Sequence, residues 1–228
     1  MFINRQTMRR ICLLNLRTNS TGNLHKLAGV MYKHVEIRHI TSRKDVDMAN
    51  KREWYPGYTY HITARGNRRY TIFRNREDRL KYLEFLEDAK VKFPFILHSY
   101  CLMTNHIHLL IETIHDPPGK IIQYIHYRYA RYFNKKNGFE GHLFQGRFKS
   151  VIIRNNKQMV DTSCYIHLNQ VRAGIATEPE NYQWSSYRSF ISHRENKHVD
   201  TRKILSFMNN GSKSHYQFYV GIRLKQFN

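Results

Sequence analysis

Cysteine is scarce and poorly spaced for structural duty. Cys12, Cys101 and Cys164 are odd in number, far apart, and form no C-x-x-C pair. A disulfide scaffold and a zinc knuckle are thereby excluded, and a reducing compartment is expected. No apolar run reaches the ~18 residues that a membrane helix requires, and mean hydropathy is −0.66, which excludes an integral membrane protein. No P-loop pattern occurs, so ATP-driven chemistry has no visible seat. Acidic residues are few: 17 Asp+Glu stand against 38 Lys+Arg, and the first 35 residues contain none.

What is present fits a folded, strongly cationic protein. The 228 residues are 41% hydrophobic and 14% aromatic, enough to build a core. A net charge of +21 and a pI near 10.1 form the electrostatic footprint of a nucleic-acid binder. The competing reading of such charge is attachment to an anionic membrane surface.

Three stretches differ in character. Residues 1–47 carry Arg5, Arg9, Arg10, Arg17, Lys26 and Lys33 with no clean apolar period. They read as a poorly ordered basic extension, or as an Arg-rich, acid-poor transit segment. Residues 48–178 read as the main domain, and 179–228 as a partly helical tail. Within the main domain, Tyr58–Ala64 alternates like a strand. Asn75 caps a helix with Leu80, Leu83, Leu86 and Ala89 at helical spacing, closed by Pro94. Phe95–Met103 and His106–Glu112 read as strands around the turn Thr104-Asn105. Lys120–Asn134 is a long aromatic helix, Phe148–Arg154 a fourth strand, and Gln158–Arg172 a third helix stopped by Gly174. The expected class is α+β: a ferredoxin-like β-α-β-β-α-β antiparallel sheet with an added helix.

Two pairs of residues carry chemistry. In His106-Ile107-His108 the imidazoles share one strand face while Ile107, Leu109 and Ile111 face the other way. Two imidazoles side by side suit a divalent metal; with 14 histidines in the chain, two polar residues on a half-exposed strand are the plainer alternative. Tyr165 and Asn169, four apart, share a helix face. A tyrosine is a covalent nucleophile in waiting, and an amide oxygen completes a coordination sphere; a core tyrosine and a helix-end Asn are the alternative. Tyr124, Tyr127, Tyr129 and Tyr132 have no metal ligand four residues on, so they read as packing or base-stacking groups. Tyr127, Arg128, Arg131 and Tyr132 interleave rings and cations as a single-strand platform would. Arg147 and Lys149 are candidate phosphate contacts, with a solvated basic strand edge as the alternative; His61 on the first strand reads as a satisfied sheet histidine, with a place facing the metal site as the alternative. Cys164 abuts Tyr165 but points to another face.

Taken together, Tyr60-His-Ile-Thr-Ala-Arg-Gly-Asn67, Met103-Thr-Asn-His-Ile-His108, Phe144-Gln-Gly-Arg-Phe-Lys149, Tyr165-Ile-His-Leu-Asn169 and Trp184-Ser-Ser-Tyr187 resemble the HUH-type tyrosine transposases, specifically the bacterial REP-associated group. The resemblance covers residues 48–190. It implies that His106, His108 and Asn169 hold Mg²⁺ or Mn²⁺ and that Tyr165 is the nucleophile. It further implies nicking and strand transfer of single-stranded DNA beside a hairpin, through a 5′-phosphotyrosine, in the bacterial cytoplasm at the nucleoid. Whether the protein acts as monomer or homodimer is left open. Gln170 departs from the family, which has Pro there; the expected effect is on the helix end and not on the chemistry. Two other readings compete. One is a non-catalytic single-strand nucleic-acid-binding module on a ferredoxin-like sheet, although the RNP aromatics are missing where His-Ile-His stands. The other is a metal hydrolase, for which only Asp161 and Glu112 are available as a base.

Overall fold

Four strands and two helices follow the expected alternation. They are β1 (Thr59–Arg65), α1 (Arg76–Lys92), β2 (Phe95–Leu102), β3 (His106–Thr113), α2 (Pro118–Asn137) and β4 (Lys149–Ile153), and α3 (Asn156–Arg172) comes next. The sheet order is β2-β3-β1-β4 with every neighbouring pair antiparallel, which is the ferredoxin-like arrangement. This computed structural model describes residues 54–193 and 195–226, all within one unit, Arg52–Asn228. The basic extension expected over residues 1–47 lies outside the described residues.

Local chemistry sets the element ends. Asn75 accepts from the Asp78 amide while the Asp78 carboxylate accepts from the Asn75 amide, closing a capping box on α1. Gly138, at φ 64°, ends α2 in the left-handed region that glycine takes freely. Along α1 the structure corrects one expectation: Leu80 is 43% exposed, whereas Tyr82, Leu83, Phe85, Leu86 and Ala89 are buried. Steps of three residues fall short of a full turn, so by Ala89 the direction has swung about half a turn away from Leu80.

The sheet is covered on both faces. Tyr60, Ile62, Ile107, Leu109 and Ile111 pack with the buried sides of α1 and α2. Cys101, Leu110 and Ile153 pack with α3 and with residues 179–226. That last stretch carries α4 (Tyr187–Ile191), α5 (Arg202–Leu205) and α6 (Lys213–Lys225). Trp184–Ser186 runs along the β2 edge: Leu102 N donates to Trp184 O, and Ser186 N donates to Tyr100 O. Among the described residues no helix is long and apolar enough to cross a membrane.

Candidate active site

Alternation along β1 and β3 builds the floor of the site. Ile107 and Leu109 enter the α1–α2 core, so His106 and His108 project from the opposite face, toward α3. Thr63 stands opposite His108, and Arg65 opposite His106. Lys149 of β4 stands opposite Thr63 on its other side, so Lys149, Thr63 and His108 form one cross-strand row on the site face.

Hydrogen bonds fix the imidazoles. His106 Nδ1 lies 2.7 Å from Asn105 Oδ1. An amide oxygen only accepts, so His106 carries its proton on Nδ1 and keeps the Nε2 lone pair. His61 Nε2 lies 3.0 Å from His108 Nδ1, and Thr63 Oγ1 is 3.3 Å from that same nitrogen. When His108 donates from Nδ1, it too offers Nε2. Burial lowers the pKa of His61 to about 4. His108 falls well below its ordinary value through burial, then through His61 and His106; His106 is lowered by burial and by the Arg65 cation. Neutral imidazole is the form that ligates.

Helix α3 lies across this face. Its inner side buries Met159, Val160, Ser163, Cys164, Ile166 and His167. Tyr165, Asn169 and Arg172 follow at positions i, i+4 and i+7 and stay partly exposed. The Tyr165 ring stands edge-on to His108 at 5.7 Å and to His61 at 5.9 Å between centroids. The Arg172 guanidinium lies over the same ring at 5.3 Å. Asn169 Nδ2 donates to the Tyr165 carbonyl at 2.7 Å, which leaves Oδ1 as its acceptor.

This donor set fits a small divalent cation. Neutral imidazole is a common ligand for divalent transition metals, and an amide oxygen suits Mg²⁺ or Mn²⁺. Among the described residues no group of three His, Cys, Asp or Glu is arranged to hold a metal ion. His61 turns its Nε2 to His108.

A buried polar network holds α3 in place. His167 bonds through Nδ1 to Tyr216 Oη and through Nε2 to Ser186 Oγ, both at 2.8 Å. Ser163 Oγ meets the same Tyr216 hydroxyl at 2.8 Å, and Ser186 Oγ accepts from the Tyr100 amide at 2.9 Å. On the outer side, Asp161 pairs with Lys157, Arg223 and the Tyr219 hydroxyl. Gln170, in the position of departure, is fully buried and donates to the carbonyls of His167 and Pro179.

Other residues singled out in the sequence fall in different places. Arg147 is exposed in the loop before β4; next to it, Gln145 N donates to Arg65 O and the Arg65 side chain donates back to Gln145 Oε1. Tyr127, Arg128, Arg131 and Tyr132 lie on α2, whose buried side packs on the far face of the sheet. There Arg128 pairs with Asp88, and Tyr132 bonds to Asp78. The structure therefore does not bring them together with Tyr165. Glu112 is taken up by His98 and Lys203, and Asp161 by its own partners, so neither is a free base. Cys164 is buried, and burial pushes its thiol up to about 12. Sequence reasoning missed Asn105, Thr63 and Arg172, and gave His61 too small a part. The i+7 spacing of Arg172 from Tyr165 was the available signal for one of them.

Comparison with known proteins bears on the family and the fold. A REP-associated tyrosine transposase by name, from Haemophilus influenzae, is 25% identical over 106 residues, covering 42% of this chain and 60% of that protein. The chain thus matches somewhat less than two thirds of that relative's length. A solved REP-associated tyrosine transposase bound to a REP hairpin superposes with a TM-score of 0.53 over 67% of this chain and 98% of that one. At 19% identity this likeness is one of fold. The family model for IS200-like transposases matches residues 55–169, half of the chain and the whole span from β1 to Asn169. The chain belongs to the IS200-like transposase family.

Proposed function

We propose that this protein is a divalent-metal-dependent transposase that cuts and rejoins single-stranded DNA through Tyr165, next to a hairpin. The observation that carries the reading is the placement of Tyr165 5.7 Å from His108, in the same chain and one helical turn from Asn169. His106, His108 and Asn169 would hold the metal; when bound, the ion would polarise the scissile phosphate and neutralise charge that grows in the transition state. The Tyr165 hydroxyl attacks phosphorus, the bond to the 3′ oxygen breaks, and a 5′-phosphotyrosine with a free 3′-OH results. Because the ester stores the bond, rejoining needs no nucleotide cofactor. The Arg172 guanidinium over the Tyr165 ring adds positive charge beside the phenolate that would depart on rejoining. Arg65 of β1 and Lys149 of β4 add positive charge on the β1–β4 side of the histidines, where the DNA backbone would run. The hairpin is carried over from the related protein solved with one. Monomer and homodimer are both compatible with a site drawn from one chain.

The metal assignment has its own test. His106→Ala and His108→Ala should each abolish cleavage of single-stranded hairpin DNA. Each should keep most of the affinity, which comes from the basic surface. Undiminished cutting in EDTA, or by the double variant, would remove the metal from the account.

A further inference from the structure

An open groove of about 590 Å³ lies beside the histidine strand, lined by Tyr70, Thr71, Phe73, Arg74, Thr104 and Phe139. Two of its walls are aromatic rings that the fold leaves outside the core, Tyr70 at 66% and Phe139 at 46% exposure. The Arg74 guanidinium is laid over the Phe139 ring at 4.7 Å and held by Asn137 Oδ1 at 2.8 Å.

The wall carrying Tyr70 is rigid and strained. Arg68 and Arg69 take φ of 49° and 63°, two consecutive non-glycine residues in the left-handed region, a conformation that side-chain-bearing residues adopt only at a cost. A side chain at Gly66 would meet the Tyr70 carbonyl oxygen at 2.2 Å, so only glycine permits this turn. Ile72 N and Phe73 N both donate to Thr104 O, and Gly66 N donates to Asn105 O. The result displays two exposed guanidiniums and one exposed ring. Strain kept in place by such anchoring marks a loop whose shape is needed.

The groove is joined to the active site through one amide. Asn105 Nδ2 donates to Arg69 O at 3.2 Å, while Asn105 Oδ1 accepts from His106 Nδ1. Thr104 lines the groove and His106 is two residues on, within about 7 Å of chain. Stacked DNA covers that length in about two nucleotides at ~3.4 Å each.

We propose that the groove seats a single unpaired nucleobase of the DNA strand, stacked against Tyr70 and Phe139, with its flanking phosphates on Arg68 and Arg69. Charge argues for DNA as occupant: Arg74 lines the groove, and exposed Arg68 and Arg69 directly precede Tyr70 of its wall, in a protein of net charge +21. Exposed aromatic rings with cations beside them are how single strands are held without pairing. The inference rests on the single-strand reading above and adds a second contact, about two nucleotides from the bond to be cut.

Two fluorescein-labelled probes at fixed salt test this on the full chain: a DNA hairpin with blunt ends, and the same hairpin with an unpaired six-nucleotide 5′ flank of mixed sequence. Wild type should bind the flanked probe more tightly. Tyr70→Ala with Phe139→Ala should weaken the flanked probe roughly five- to hundredfold, as loss of one stacked base implies, and leave the blunt probe unchanged. Tyr70→Phe, which keeps the ring, should retain the difference. Equal affinity of wild type for both probes, or equal losses on both in the alanine variant, would overturn the groove. Covalent capture of DNA by wild type, read separately in the same samples, reports on Tyr165. A probe difference without capture supports the groove and sinks the chemistry; capture without a probe difference does the reverse.

Discussion

Two short hydrogen bonds decide which nitrogen each site histidine turns to the open face. Asn105 takes the Nδ1 proton of His106, and His61 stands against Nδ1 of His108. Such partners typically alter metal affinity ten- to a hundredfold when removed. Asn105→Ala should therefore weaken Mn²⁺ binding, read by titration calorimetry, by roughly that factor, while Asn105→Asp, which still accepts from Nδ1, should largely restore it. Affinity unchanged in Asn105→Ala would mean that His106 is oriented by something else. His106 and His108 themselves were legible in the sequence, because a period of two is unambiguous once a strand is recognised. Asn105 was not, since it precedes the strand and its side-chain direction depends on the turn.

Helix α3 carries Tyr165, but very little of what fixes it is local. Its clamp runs from His167 to Ser186 on the β2 edge and to Tyr216 on α6, contacts 19 and 49 residues apart. No periodicity within a window of sequence reports such pairs, which is why the packing of residues 179–226 was opaque while β1 to α3 were readable. The same limit hides the partners of the stripe Tyr127, Arg128, Arg131 and Tyr132: Arg128 pairs with Asp88, and Tyr132 bonds to Asp78, across 40 and 54 residues. The Trp184-Ser-Ser-Tyr187 motif acquires a physical meaning here, since Ser186 ties Tyr100 of the sheet edge to His167 of α3. Ser186→Ala leaves one imidazole nitrogen and one amide buried without that partner, so it should destabilise the fold by about 1–3 kcal/mol in urea unfolding. The rate of covalent capture should fall with it, at little change in DNA affinity. An unaltered urea midpoint would show that α3 is held by its apolar side alone.

Across the whole molecule, charge and buried histidines set the response to conditions. Burial lowers both His126 and His167 to about 3, and His126 Nε2 is sealed from solvent without a partner. Both are neutral when folded but take a proton near pH 6.5 when unfolded. Between pH 6.5 and about 3 the unfolded chain binds more protons, so stability falls as pH falls. At pH 4 each contributes up to about 3 kcal/mol of loss. The urea midpoint should drop steadily from pH 7 to pH 4. His126→Phe, which keeps the stack on Phe144, should make that drop shallower; an identical slope would show His126 already protonated in the fold.

The central claim is that one residue, Tyr165, becomes joined to DNA. Wild-type protein, Mn²⁺ and single-stranded hairpin DNA should give a denaturant-resistant adduct that peptide mapping assigns to Tyr165. Tyr165→Phe removes one oxygen and almost no packing volume, so it should fold, bind DNA and form no adduct, whereas Tyr127→Phe and Tyr132→Phe should form it as wild type does. An adduct that persists in Tyr165→Phe would contradict the account.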